Sequence, residues 1–141
     1  VVSVNNSRQP ESSGDALEDY KRLIDDFVET AKITVVANRI RENGHPERTN
    51  DADLALDAEE LERKSLFLAL TKEQKETVAK MLEDERMGAV HDIAAHLEGL
   101  TTCRGLDFVW NGKILPKSPF ASMHYDFVCR YEGDPWPDAE N

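Results

Sequence analysis

The sequence predicts an α+β fold: about three helices, one of them long and central, packed on a small antiparallel sheet. Three stretches carry that expectation. Residues 71–100 have the apolar spacing of one long amphipathic helix. Residues 106–116 place Asn111-Gly112 between two apolar runs, the mark of a β-hairpin with a tight turn. Residues 123–131 alternate apolar and polar side chains with period 2, as a half-buried strand does.

Composition bounds the rest. A chain of 141 residues is long enough for one domain with a core of its own. It is 40% hydrophobic and 32% charged, with a formal net charge of −11. Such an excess of carboxylates repels phosphate, so non-specific nucleic-acid binding is excluded as a working function, and an anionic membrane surface is disfavoured. No apolar run approaches the ~20 residues of a membrane span. No signal peptide is visible, and the opening Val1-Val2 points to a processed or trimmed start. Cys103 and Cys129 have neither disulfide-framework nor zinc-ligand spacing, so reduced thiols and a cytoplasmic location are expected.

In chain order, residues 1–14 are rich in Ser, Asn and Pro and read as a flexible arm, leaving 15–141 as the single α+β domain. The first helix is expected from Asp15, with Glu18 completing a capping box. Its stripe of Leu17, Tyr20, Ile24, Phe27, Val28, Ala31 and Val35 carries it to about Arg41. Asn43-Gly44 supplies a stop, although the β-branched cluster Ile33-Thr34-Val35-Val36 weakens the middle. Residues 43–57 form a long connection with no ligand pattern. The second helix begins after Asp57, boxed with Glu60, and its SLFLAL run is apolar nearly all round, which predicts burial.

The central helix follows a break at Leu70-Thr71. Thr71 and Gln74 make another capping box, and Gly99 is the expected stop. Val78, Leu82, Ala89, Ile93, Leu97 and Leu100 share one face. Gly88, beside Ala89, Ala94 and Ala95, suggests close approach by another backbone. In the hairpin, a two-residue loop sets Trp110 opposite Lys113, Val109 opposite Ile114 and Phe108 opposite Leu115. The acidic tail 132–141 carries Trp136 between two prolines, a ring expected either to fold back onto its own domain or to meet another chain.

Candidate chemistry is sparse. Glu85, Asp92 and His96 lie within about 40° of one another around the central helix, and Asp92 and His96 are i and i+4. Two carboxylates and an imidazole in one column have the chemistry to hold a divalent metal or to exchange protons. On the predicted strand, His124, Asp126 and Arg130 share the polar face. The sequence holds no phosphate loop, no nucleophile elbow and no HExxH. The acidic helices invite comparison with all-α metal-dependent nucleotide pyrophosphohydrolases. Glu59 and Glu60 are present, but the later Glu-x-x-Asp is not, because Ala89 stands three before Asp92.

The sequence therefore favours a small acidic, non-catalytic interaction or accessory module, its partner a basic protein, with a homodimer as a further form of pairing. The alternative is a small-molecule or metal-binding domain, hydrolytic in its sharpest form. It would use Glu85, Asp92 and His96 with His124 and Asp126. Trp136 is the candidate partner contact, and no cofactor is specified.

Overall fold

The computed structural model describes residues 13–48 and 55–137. Its elements run α1 (Ser13–Lys32), α2 (Val35–Asn43), α3 (Ala58–Ala69), α4 (Lys72–Cys103), β1 (Val109–Trp110), β2 (Lys113–Ile114) and α5 (Met123–Glu132). The α+β class holds, with most of the described chain helical and one two-stranded antiparallel sheet. Of the arm expected over 1–14, all but the last two residues lie outside the described residues, and those two belong to α1. Residues 49–54 of the long connection and the end of the tail from 138 also lie outside them.

The local signals that set element ends are satisfied as bonds. Glu60 N–H donates to Asp57 Oδ1 at 2.8 Å and Asp57 N–H to Glu60 Oε2 at 2.9 Å, so α3 starts with a full capping box. Thr71 and Gln74 exchange the same pair of bonds at 2.9 and 3.2 Å at the start of α4. Gly44 ends α2 at φ +78°, a left-handed position that a Cβ makes costly. The hairpin has the expected register, Val109 against Ile114 and Trp110 against Lys113, with Asn111 and Gly112 both at positive φ.

Several expectations are corrected. The first helix does not continue to Arg41. It stops at Lys32 and a new helix starts at Val35, with Thr34 at φ −115° between them. The break falls in the β-branched cluster, where side chains lose rotamer freedom against the preceding turn. Gly99 does not end α4, which runs on to Cys103. The chain turns instead at Gly105, φ +74°, where Leu106 N–H donates to the Leu100 carbonyl at 3.1 Å. Gly88 meets no close approach, since among the described residues nothing beyond its chain neighbours and its own helix backbone lies within 4 Å of the place a Cβ would occupy. The SLFLAL run is not buried: Leu66 and Leu68 are more than half exposed and α3 buries no residue fully. On α4 the expected stripe is more than half exposed at Ile93 and about a third exposed at Leu82, whereas Ala79 and Ala94 are buried.

The largest correction is the third strand. Residues 123–131 lie in the helix α5, with Ser122 at the N-cap position and Gly133 ending it at φ +97°. The apolar set Met123, Tyr125, Phe127, Cys129 and Tyr131 satisfies both periods, because every second step of two is a step of four. Met123, Phe127 and Tyr131 are i, i+4 and i+8, a helical stripe. The Phe127 and Tyr131 rings lie 5.9 Å apart, and Asp126, which the strand reading placed in water, is buried.

The described chain divides into two compact units. Among the described residues, one gathers 13–26 and 94–137, and the other spans 27–48 and 55–93. In the second unit Ala37, Ile40 and Ala79 form a small core with Phe67 and Val78 against it. Arg41 ties α2 to α4 there, donating from Nε to Glu76 at 2.9 Å and from Nη2 to Glu83 at 3.0 Å. The first unit is organised around Tyr20, Ile24, Met123 and Phe127, all buried.

Candidate functional site

The first unit contains a cleft of about 700 Å³ built from the bottom of its core outward. Tyr20 and Ile24 lie one turn apart on α1 and are 1% and 0% exposed. The Tyr20 hydroxyl donates to Asp126 Oδ2 at 2.7 Å across 106 residues of sequence. The other carboxylate oxygen accepts from Ala121 N–H at 3.4 Å. Burial pushes the Asp126 carboxyl above the ordinary aspartate range, although the Tyr20 hydrogen bond opposes the shift. Burial, with the Asp126 hydrogen bond second, drives the Tyr20 phenol far above its usual range, so Tyr20 remains a donor at all working pH.

Glu98 of α4 fixes this arrangement. Its carboxylate accepts from the Ser118 hydroxyl and, at 2.7 Å, from Met123 N–H at the first turn of α5. A carboxylate on the unpaired donors of a helix N-terminus is favourable electrostatically, and it serves where the Ser122 side chain makes no cap bond. Leu17, Phe120, Tyr125 and Trp136 supply most of the apolar wall, and Asp126, Arg130 and Asp134 the charge.

Trp136 folds back onto its own unit. Its ring centroid lies 5.2 Å from Phe120 and 6.4 Å from Tyr20, and its Nε1–H donates to Asp25 Oδ2 at 3.4 Å. Arg130 lies over the Trp136 ring, 5.2 Å from its centroid, and donates from Nε to Asp25 Oδ1 at 2.9 Å.

The residues singled out from sequence are distributed as follows. Glu85, Asp92 and His96 are on α4 and all exposed. Asp92 Oδ1 sits 3.1 Å from Nδ1 of its neighbour His91. His124 and Asp126 are both on α5, the first half-buried with Nε2 at 3.5 Å from the Ser122 hydroxyl, the second buried in the cleft. Among the described residues, no group of three or more His, Cys, Asp or Glu is placed to hold a metal ion. Three of the residues singled out from sequence line the cleft, Asp126, Arg130 and Trp136. Sequence reasoning passed over the partners Asp25, Phe120 and Tyr125, and took Tyr20 only as core. The one available signal was Tyr20 itself, since a buried phenol needs an acceptor.

A second concave surface lies in the other unit. Ile33, Val35 and Val36 meet Leu82 of α4 around a groove of about 240 Å³, with Arg86 at its side. Arg86 is held by donating from Nε to the Thr30 carbonyl at 2.9 Å. Among the described residues, no helix is long and apolar enough to cross a membrane.

A family model described as a family of unknown function, DUF6547, matches residues 13–138. No curated protein matches the chain, and no solved structure does.

Proposed function

The chain belongs to that family of unknown function, and we propose that it is a non-catalytic interaction or accessory module that binds a basic protein partner. The observation that carries this reading is the apolar groove of the second unit. Ile33 is 58% exposed, Val35 52%, Val36 43% and Leu82 37%, and all four line the same concavity. Large aliphatic side chains grouped in water are the mark of a surface that is covered in use. The outward leucines of α3, Leu61, Leu66 and Leu68, extend the apolar exposure of this unit. A net charge of −11 favours a basic partner, because opposite potentials speed encounter and suppress wrong partners. A cytoplasmic setting belongs to the same reading, and the free thiols of Cys103 and Cys129 support it.

Quantitative affinity purification tests the proposal. Wild type is compared with a Val36→Glu, Leu82→Glu double variant, whose substituted positions are solvent-exposed and so preserve the circular dichroism spectrum. The expected result is a basic protein enriched with wild type and lost with the variant. An identical set of proteins from both refutes the groove as the interface. Recovery of the chain itself in place of a basic protein would identify a homodimer instead.

A further inference from the structure

We propose that the cleft of the first unit binds a small organic cation: an amine with an apolar body, its ammonium directed to Asp126 and its body held by Tyr125, Phe120 and Trp136. This site is independent of the groove on the second unit.

Three observations support it. The first is size and lining. A cleft of about 700 Å³ with aromatic walls and a few polar groups has the form of a small-molecule site. Tyr125, Asp126, Cys129 and Arg130 fall within about 140° of the α5 circumference, so α5 presents one continuous wall.

The second is charge. Two carboxylates and one guanidinium line the cleft, those of Asp126, Asp134 and Arg130. The guanidinium is already used, for its Nε donates to Asp25, its Nη1 donates to the Asp134 carbonyl, and its plane covers Trp136. An anionic ligand would have to compete with those contacts. Asp126, by contrast, is 5% exposed, and among the described residues it accepts the Tyr20 hydroxyl and a long bond from Ala121. A carboxylate has about four acceptor positions, so Asp126 retains capacity for an ammonium N–H.

The third is the behaviour of the rings. The aromatic cluster already attracts the cations of its own chain: Arg130 lies over Trp136, and Lys21 Nζ is 5.9 Å from the Phe120 centroid. With Trp136 and Phe120 so engaged, the Tyr125 ring, 58% exposed in the same lining as Asp126, is the face that would stabilise an ammonium relative to a neutral or anionic isostere.

The test uses three probes of one shape: 2-phenylethylamine, 2-phenylethanol and 3-phenylpropanoate. Calorimetric titration of the full chain is paired with amide chemical-shift mapping. The amine is expected to bind about tenfold more tightly than either isostere, with shifts at Tyr125, Asp126, Cys129 and Trp136. Asp126→Asn should remove that preference. Should Asp126→Asn fail to fold, Tyr125→Ala, at a residue 58% exposed, should weaken the amine and leave the fold intact. Equal affinity for amine and alcohol, preference for the carboxylate, or no amine binding at about 10 mM overturns the proposal.

Discussion

Replacing Tyr20 with Phe isolates one bond to a carboxylate of the cleft lining. Tyr20 is 1% exposed, and its hydroxyl donates to Asp126 Oδ2 at 2.7 Å. Phe keeps the ring and its packing, so the loss is that of the hydroxyl. A hydrogen bond to a charged acceptor is worth about 1.5–3 kcal/mol, and a bond between neutral groups about 0.5–1.5 kcal/mol. The cost therefore depends on the charge of Asp126. Its folded pKa is raised, first by desolvation. A raised acid favours the fold in its protonated form, so its relative contribution is fully present below the unfolded value and is lost as pH rises through the folded value. Tyr20 opposes that loss by stabilising the carboxylate. Tyr20→Phe should thus cost distinctly less at a pH of about 3.5, below the unfolded value, than where Asp126 is ionised, where the cost is about 1.5–3 kcal/mol. Urea unfolding followed by tryptophan fluorescence is the assay, because Trp110 and Trp136, the two tryptophans of the chain, both lie in the first unit. A cost that is equal under both conditions, or larger in acid, would refute the assignment of Tyr20 as the donor that supports a buried carboxylate.

Three further outcomes follow from single contacts. Ile40→Ala, at a residue 1% exposed in the small core of the second unit, should cost about 2–5 kcal/mol in chemical denaturation. Gly44→Ala should destabilise by about 1–2 kcal/mol, since φ +78° is unfavourable for a residue with a Cβ and the new methyl would stand 3.3 Å from Lys75 Nζ. Glu98→Ala should speed hydrogen exchange at Met123 and the next amides of α5, because it removes the carboxylate that accepts Met123 N–H. Unchanged exchange there would show that Glu98 does not hold the start of α5.

The parts of the fold legible in the sequence were those decided within a few residues. Asp57 with Glu60, Thr71 with Gln74, and Asn111-Gly112 each carry their structural meaning in a window of four, and each forms as expected. Periodicity failed where it was ambiguous. From Met123 to Tyr131 the apolar positions satisfy a strand and a helix at once, and the flanking Ser122 and Gly133 were the better guide. Burial failed where it depended on what an element packs against. The leucines of α3 satisfy any rule for an inner face, yet Leu66 and Leu68 stand in water. The cleft was half visible. Asp126 and Trp136 were named, but their partners come from α1, over a hundred residues earlier, and no local pattern joins Tyr20 to Asp126 or Asp25 to Trp136. The column Glu85, Asp92 and His96 rests on helix geometry alone. Sharing a sector of a helix does not by itself make side chains converge, and Asp92 pairs with His91.

The central claim, that the groove of Ile33, Val35, Val36 and Leu82 is an interaction surface, is tested most directly by site-specific photocross-linking. A photoreactive side chain is placed at Val36 in the full chain and, as a control, at Glu62, an exposed polar position on α3. A discrete covalent adduct with a basic protein is expected from Val36, absent from Glu62 and abolished by Leu82→Glu. The same adducts from both positions, or none from Val36, would contradict that claim.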